Sequence, residues 1–124
     1  LWPRSVGLAT DERGFLLVND ALQSVSHPHV FAAGDIATVR NHPRPKSGVF
    51  AVRAGPPLEH NLRRALQDLQ PVAWQAQRHA LALITTGDRH AIASRGDLAL
   101  QGDWVWRWKN RIDRRFMRRY DIQE

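Results

Sequence analysis

The sequence of 124 residues predicts an α+β fold, and three patterns support this prediction. A short apolar run, Val30 to Ala33, has the length and composition of a buried strand. Apolar residues recur at helical spacing between residues 48 and 69. Two β-like runs around a Gly-Asp turn then predict a hairpin, and a basic segment of helical length follows it.

The junction Gly34-Asp35 directly follows the predicted strand. Gly34 lacks a Cβ, so another group can approach its backbone closely, and Asp35 supplies a carboxylate that only accepts hydrogen bonds. Ligands of α/β folds bind at the carboxyl ends of strands, and such a carboxylate suits sugar-like hydroxyls. A plain strand-to-turn junction, in which Asp35 caps the turn, is equally compatible with the hexapeptide from Val30 to Asp35.

The region from Gly48 to Leu69 predicts a helix with one interruption. Pro56 and Pro57 lie inside it, and proline removes a backbone donor and clashes with the preceding turn. We therefore expect one short turn before Gly55 and a longer helix from about Pro57. The apolar face of that helix is predicted to consist of Leu58, Leu62, Ala65, Leu66 and Leu69.

The last third of the chain predicts a small antiparallel unit. Residues 80–86 and 90–94 flank the turn at Gly87-Asp88-Arg89, and residues 98–100 extend the hairpin after a second turn at Arg95-Gly96-Asp97. In this setting an Arg-Gly-Asp tripeptide indicates a turn rather than an adhesion motif. The sequence thus divides into residues 1–70 and residues 71–124.

A basic amphipathic helix is predicted after the hairpin, with Asp103 as its N-cap. Residues 104–120 hold seven basic residues and one acidic residue, so much of the net charge of +6 is concentrated there. Arginines that include Arg111, Arg114 and Arg118 fall opposite an apolar stripe with a spacing of four: Trp104, Trp108, Ile112, Phe116 and Tyr120. A strand with period two over residues 104–108 is the competing interpretation.

Three uses suit such a helix. Its stripe can pack on a protein core and leave a solvated cationic face. Alternatively, Trp104 and Trp108 can lie at headgroup depth in an anionic membrane, with Arg111, Arg114 and Arg118 near the lipid phosphates. Nucleic-acid binding is less favoured, because no recognised module accompanies the arginines and aromatics.

Several chemistries are excluded by composition. The absence of cysteine rules out a redox disulfide, a thiolate nucleophile and a cysteine-ligated zinc site in this sequence. The six histidines form no spaced metal constellation, so no metal site is predicted. No residue is assigned as catalytic. The apolar runs are too short to span a bilayer and no secretory signal occurs, which favours a cytoplasmic protein.

Two segments, His27 to Asp35 and Lys46 to Gly55, together with the preceding Gly14 to Ser24, resemble the C-terminal part of pyridine nucleotide-disulfide oxidoreductases. The resemblance is closest to type II NADH dehydrogenase-like flavoproteins associated with selenide-water dikinase. It implies the last strand and helix of an FAD-binding domain, followed by a small antiparallel C-terminal domain that ends in a helix.

The resemblance also implies a cofactor site. Asp35 would bond the ribityl hydroxyls of FAD, with Gly34 and Ile36 in close backbone contact near the pyrophosphate. The N–H groups of Val49 and Phe50 would face the O2 edge of the flavin, where a helix N-terminus stabilises the negative charge of reduced flavin.

The activity implied by the resemblance is electron transfer from NAD(P)H through FAD to a quinone or another acceptor. The sequence contains no G-x-G-x-x-G fingerprint, so we expect the FAD and NAD nucleotide motifs to lie in missing N-terminal domains and this fragment to be inactive alone. A homodimer and peripheral contact with the inner face of a membrane are further expectations. The competing hypothesis is a non-catalytic interaction module that binds a membrane surface or a protein through its basic helix.

Overall fold

The chain has two separate hydrophobic cores. A computed structural model describes residues 2–119. One compact unit comprises Leu1–Arg78 and the other His79–Glu124. The first unit contains helices and a parallel strand pair, and the second contains an antiparallel sheet and one helix. The predicted α+β class is therefore confirmed.

The first unit has little regular sheet. Helix α1 (Trp2–Ser5) precedes strand β1 (Leu16–Val18), which pairs in parallel with β2 (Ala37–Val39) so that Leu16 lies opposite Ala37. Helix α2 (Gly48–Leu66) follows. The core of this unit contains five buried side chains: Leu16, Val18, Leu22, Ala32 and Ala54.

The predicted strand at Val30 to Ala33 is wrong. These residues have irregular backbone with one isolated β-bridge, between Phe31 and Gln23. The Ser24 N–H donates to the Val30 carbonyl and the Ala32 N–H donates to the Leu22 carbonyl, so the segment follows a neighbouring loop instead of a strand. A 3-10 turn at Gly34–Ile36 then leads into β2, which places Gly34 and Asp35 at the amino end of a strand and not at its carboxyl end.

The predicted interruption of α2 is also wrong, because the helix runs continuously through Pro56 and Pro57. The two prolines deprive the carbonyls of Val52 and Arg53 of their helical donors. Both of these residues are exposed, so water can satisfy the carbonyls and the helix continues.

The buried face of α2 differs from the predicted one. Ala54 and Asn61 are buried and Leu58 packs against the core, whereas Leu62, Leu66 and Leu69 are exposed by 41%, 87% and 46%. The helix meets the core through Ala54, Leu58 and Asn61, because the loops and the 3-10 turn lie close to it. Large side chains on the neighbouring face therefore stay outside.

The second unit confirms the predicted hairpin and its third strand. Strands β3 (Ala82–Gly87), β4 (His90–Arg95) and β5 (Leu98–Gly102) form an antiparallel sheet in sequence order. Ala93 of β4 lies opposite Leu83 on one side and Leu100 on the other. Asp88 and Arg89 have positive φ values of 44° and 57°, which a two-residue type I′ turn requires.

Helix α3 (Asp103–Met117) confirms the helical interpretation of the basic segment. Its N-cap is Gly102, not Asp103 as predicted, and Asp103 occupies the first turn, where a negative charge suits the helix dipole. The fully buried Val105 packs the helix against Ala91 and Ala93, with Trp106 beside it.

The predicted apolar stripe of α3 is largely exposed. Trp104, Trp108 and Ile112 keep 53%, 40% and 39% of their surface accessible. Val105 lies about 100° around the helix from Trp104, so a helix seated on Val105 turns the stripe away from the sheet. Phe116 is half-buried, and Tyr120 lies outside the described residues.

Candidate cofactor pocket

An open pocket of the first unit lies between the Gly34–Ile36 turn and the beginning of α2. The turn supplies a carboxylate, the segment before the helix supplies a lysine, and the helix supplies one aromatic and two small side chains. The lining residues include Ala33, Gly34, Asp35, Lys46, Ser47, Phe50, Ala51, Ala54, Trp74 and Ala76. Alanines and Gly34 form part of this lining, and a planar group can approach the backbone closely beside them.

Gly34 is required by backbone conformation more than by crowding. Its φ is +75°, a value that L side chains rarely adopt. A Cβ built on Gly34 would lie 3.6 Å from the Cβ of Ala51, which is ordinary contact. Glycine therefore sets the direction in which the chain enters the 3-10 turn, and this direction places Asp35 on the exposed side of the pocket.

The N-terminus of α2 faces the same pocket through Phe50. Its first intrahelical bond runs from the Ala51 N–H to the Ser47 carbonyl, so the N–H groups of Gly48, Val49 and Phe50 precede the helical ladder. Within residues 2–119, no side chain caps these N–H groups. Unpaired N–H groups and the helix dipole together favour a partial negative charge at this position.

Lys46 is held in place by a polar cluster that includes Asp11 and Thr38. The Lys46 ammonium donates to the Ala37 carbonyl and to the Thr38 hydroxyl, the latter at 3.0 Å, and lies 4.5 Å from the centre of the Phe15 ring. Thr38 in turn donates to the Asp11 carboxylate at 2.8 Å. The cluster ties the loop before α2 to strand β2 and to the loop before β1.

These contacts shift two pKa values. Burial raises the pKa of Asp11, but hydrogen bonds from Thr38 and from the N–H groups of Phe15 and Arg13, together with the charge of Lys46, outweigh burial and leave the pKa below its usual value. Although Lys46 as a whole is exposed, desolvation of its ammonium group lowers the pKa of Lys46, and the carboxylates of Asp11 and Asp35 oppose that shift in part.

The structure brings three of the five predicted cofactor residues into one pocket. Gly34, Asp35 and Phe50 line it. Ile36 packs against the hydrophobic core instead, and Val49 is at the surface. The predicted roles of Ile36 and Val49 use only their backbone, so their side chains can lie elsewhere.

Sequence reasoning gave no pocket role to Arg44, Lys46 and Trp74, which also line it. Lys46 carried a weak signal, because it directly precedes the helix that begins after Ser47. Trp74 carried none, since it lies in an aperiodic stretch after Pro71 and reaches the pocket only through the fold.

The surface of α3 combines charge with exposed aromatic rings. Arg111, Arg114 and Arg118 lie on an open face together with Arg107 and Arg115. Trp104 and Trp108 stack with their ring centres 6.5 Å apart. Across residues 2–119, every helix is too short or too polar to cross a membrane, and no group of three metal-binding side chains occurs in that same part of the chain.

A family model matches the first part of the chain. Residues 1–55 match the family model described as pyridine nucleotide-disulphide oxidoreductase. No curated protein matches the chain. The matched segment contains Gly34, Asp35 and Phe50 and ends inside α2. This match supports a relationship between the first 55 residues and the pyridine nucleotide-disulphide oxidoreductases.

Proposed function

We propose that this chain is the C-terminal portion of an FAD-dependent NAD(P)H oxidoreductase of the type II NADH dehydrogenase-like kind, and that it closes one side of the flavin site. The full enzyme passes electrons from NAD(P)H to FAD and then to a quinone or another acceptor. The observation that carries the proposal is the pocket in which Asp35 and the N-terminus of α2 lie together.

The residues of this pocket suit FAD chemically. Asp35 has an exposed carboxylate that can accept hydrogen bonds from ribityl hydroxyls. The N–H groups before Ala51 suit the edge of the flavin that becomes negative on reduction, and the pocket is an open notch of about 50 Å³ in which the small side chains Ala33 and Ala51 let the edge of a flat ring approach the backbone. Bound FAD supplies hydride acceptance, while this chain orients the cofactor and stabilises its charge.

In the proposed enzyme, this chain forms part of the FAD site, and further domains bind the nucleotides. Hydride transfer requires an NAD(P)H site, and the sequence contains no G-x-G-x-x-G fingerprint for one. We therefore expect the 124-residue chain alone to oxidise no NADH. Turnover by the isolated chain in a spectrophotometric assay contradicts this division of labour.

The proposal is tested by measuring FAD in the polypeptide that contains this chain, purified from the cells that make it. The purified protein is expected to show flavin absorbance, and Asp35→Ala is expected to lower the ratio of FAD to protein. Asp97→Ala, in a hairpin turn of the second unit, serves as the matched control and keeps the ratio unchanged. A colourless wild-type protein that cannot be reconstituted with FAD overturns the proposal.

A second role, contact with an anionic membrane, is favoured by the exposed stripe of α3. Trp104, Trp108 and Ile112 are accessible beside the arginine face, which is the composition of an interfacial helix. Co-sedimentation with vesicles that contain phosphatidylserine is expected to weaken as salt rises and to fall in a Trp104→Ser, Trp108→Ser double variant. Absent or salt-independent binding removes this role.

A further inference from the structure

The segment of residues 72–77, here called the strap, follows α2 with irregular backbone and borders the candidate pocket. Its first residue is clamped by Asn61, a buried residue of α2. The Asn61 amide donates to the Val72 carbonyl at 2.9 Å, and the Val72 N–H donates to the Asn61 carbonyl oxygen at 2.8 Å. One side chain thus satisfies both backbone groups of Val72.

The other end of the strap is held by arginines. The guanidinium of Arg44 donates to the carbonyls of Ala76 and Gln77 at 3.1 and 3.0 Å. Arg53 of α2 donates to the side chain of Gln77. Both ends of the strap are therefore fixed by specific polar contacts, and a β-ladder is not needed to hold it.

Trp74 lies between these anchors. The backbone N–H of Trp74 donates to the Asp20 carbonyl at 2.8 Å, and this bond fixes the middle of the strap as well. The indole packs against the core cluster that contains Leu22 and Ala54, and it lines the same pocket as Asp35 and Phe50. The strap therefore presents one large aromatic side chain to the pocket from a fixed backbone.

We propose that Trp74 is a positioning residue for the flavin ring, held as one wall of the pocket by the strap. This inference rests on the proposed function and deepens it, because it adds a second aromatic wall to a pocket that Phe50 lines from the beginning of α2. Contact between an aromatic side chain and a flat ring contributes binding free energy beyond that of burial, and it also fixes the orientation of the ring. An indole in contact with a flavin quenches its fluorescence, which gives a readout independent of turnover.

The test uses the FAD-containing polypeptide that carries this chain, with Trp74→Leu, Trp74→Phe and the control Trp106→Leu in the other unit. In Trp74→Leu the flavin emission per bound FAD is expected to rise severalfold, and the Kd for FAD is expected to rise about tenfold. Trp74→Phe keeps an aromatic wall, so the affinity for FAD changes less. It removes the quenching indole, so the emission rises as well. Trp106→Leu leaves both quantities unchanged.

The outcomes separate the two proposals. Emission per bound FAD that stays at the wild-type level in both Trp74 variants overturns the role of Trp74 and leaves the FAD proposal intact. A wild-type protein that binds no FAD overturns the proposed function, and the role of Trp74 with it. Where Trp74→Leu does not fold, as judged by circular dichroism, the more conservative Trp74→Phe decides through its emission.

Discussion

The two units of the chain are stabilised in different ways. In the second unit, three strands form a continuous antiparallel ladder that α3 covers through Val105. In the first unit, the parallel pair β1 and β2 spans three residues per strand, and side chains such as Asp11, Asn19 and Asn61 hold long loops by bonding to their backbone. A repeating ladder tolerates the loss of one side chain, whereas a loop held by one side chain does not.

The candidate pocket belongs to the first unit, whose loops are held by single side chains. Its walls come from a turn, a helix start and the strap. Lys46 ties the segment before the helix to β2, and Arg44 and Asn61 hold the two ends of the strap. Binding residues on loops need such support, because a loop without fixed contacts cannot keep side chains in place. Substitutions at the anchors of these loops should therefore have larger effects than substitutions on exposed surfaces of the second unit.

Asn61→Ala is expected to show the largest effect. The buried Asn61 side chain bonds the carbonyls of Ala21 and Val72 and the N–H of Val72, and its truncation removes all three hydrogen bonds and leaves the buried Ala21 carbonyl without this partner. We expect the free energy of unfolding to fall by about 3 kcal/mol, measured by urea denaturation. The exposed Asn41→Ala is the control and should change it by less than about 0.5 kcal/mol.

A loss below about 1 kcal/mol in Asn61→Ala would show that water replaces the amide at little cost. In that case the first unit does not depend on single anchors, and the contrast between the units disappears. Amide hydrogen exchange at Val72 and Trp74 gives the local readout, since release of the strap should expose both N–H groups.

Val105→Ala tests the second unit. Val105 is fully buried against Ala91 and Ala93, and removal of its two methyl groups leaves a small cavity. We expect a loss of about 2 kcal/mol in the stability of this unit, with faster amide exchange along β4. Trp108→Ala removes a far larger but exposed side chain and should cost less than about 0.5 kcal/mol. Equal losses in the two variants would mean that the exposed stripe is covered in solution.

The same contrast explains how much of the fold the sequence predicts. The hairpin and α3 were predicted correctly because their stability comes from periodic patterns and turn residues that are visible in the sequence. The segment from Val30 to Ala33 has a strand composition, yet it adopts irregular backbone because its hydrogen-bond partners are loop residues such as Leu22. Composition carries no information about which partner a segment finds.

The candidate site was predictable to a similar extent. Gly34, Asp35 and Phe50 could be named because the segments that contain them resemble a known family. Lys46 and Trp74 reach the pocket through tertiary contacts with Thr38 and Asp20 that no local pattern encodes. For α3, helical periodicity gives the apolar stripe but not which side meets the sheet, so the sequence leaves open whether the stripe is packed or exposed.

Asp11→Asn tests the polar cluster through pH. The lowered pKa of Asp11 means that its charged form stabilises the folded state above the ordinary pKa of 3.8, and that this stabilisation is lost as the pH falls through the lower folded value. At pH 7 the variant should be less stable than wild type by about 1 kcal/mol, a modest value because the carboxylate is partly exposed. The difference should vanish in thermal melts once the pH falls below the lowered pKa of the folded state.

The neighbouring exposed Glu12→Gln serves as the control for that pH series, and its stability should follow the wild-type curve. A constant gap between Asp11→Asn and wild type from pH 7 to about pH 2 would mean that the carboxylate charge does not contribute and that only side-chain shape matters at this position.

The smallest expected effect is a gain, at the end of α2. The Asp68 N–H donates to the Ala65 carbonyl and the Leu69 N–H donates to the Arg64 carbonyl, the two bonds of a Schellman motif. Asp68 occupies the left-handed position at φ 55°, where glycine is preferred. Asp68→Gly should therefore raise the free energy of unfolding by about 0.5 kcal/mol. Asp68→Asn removes the same charge but keeps the Cβ. If both variants gain equally, the gain comes from the helix dipole and not from backbone strain.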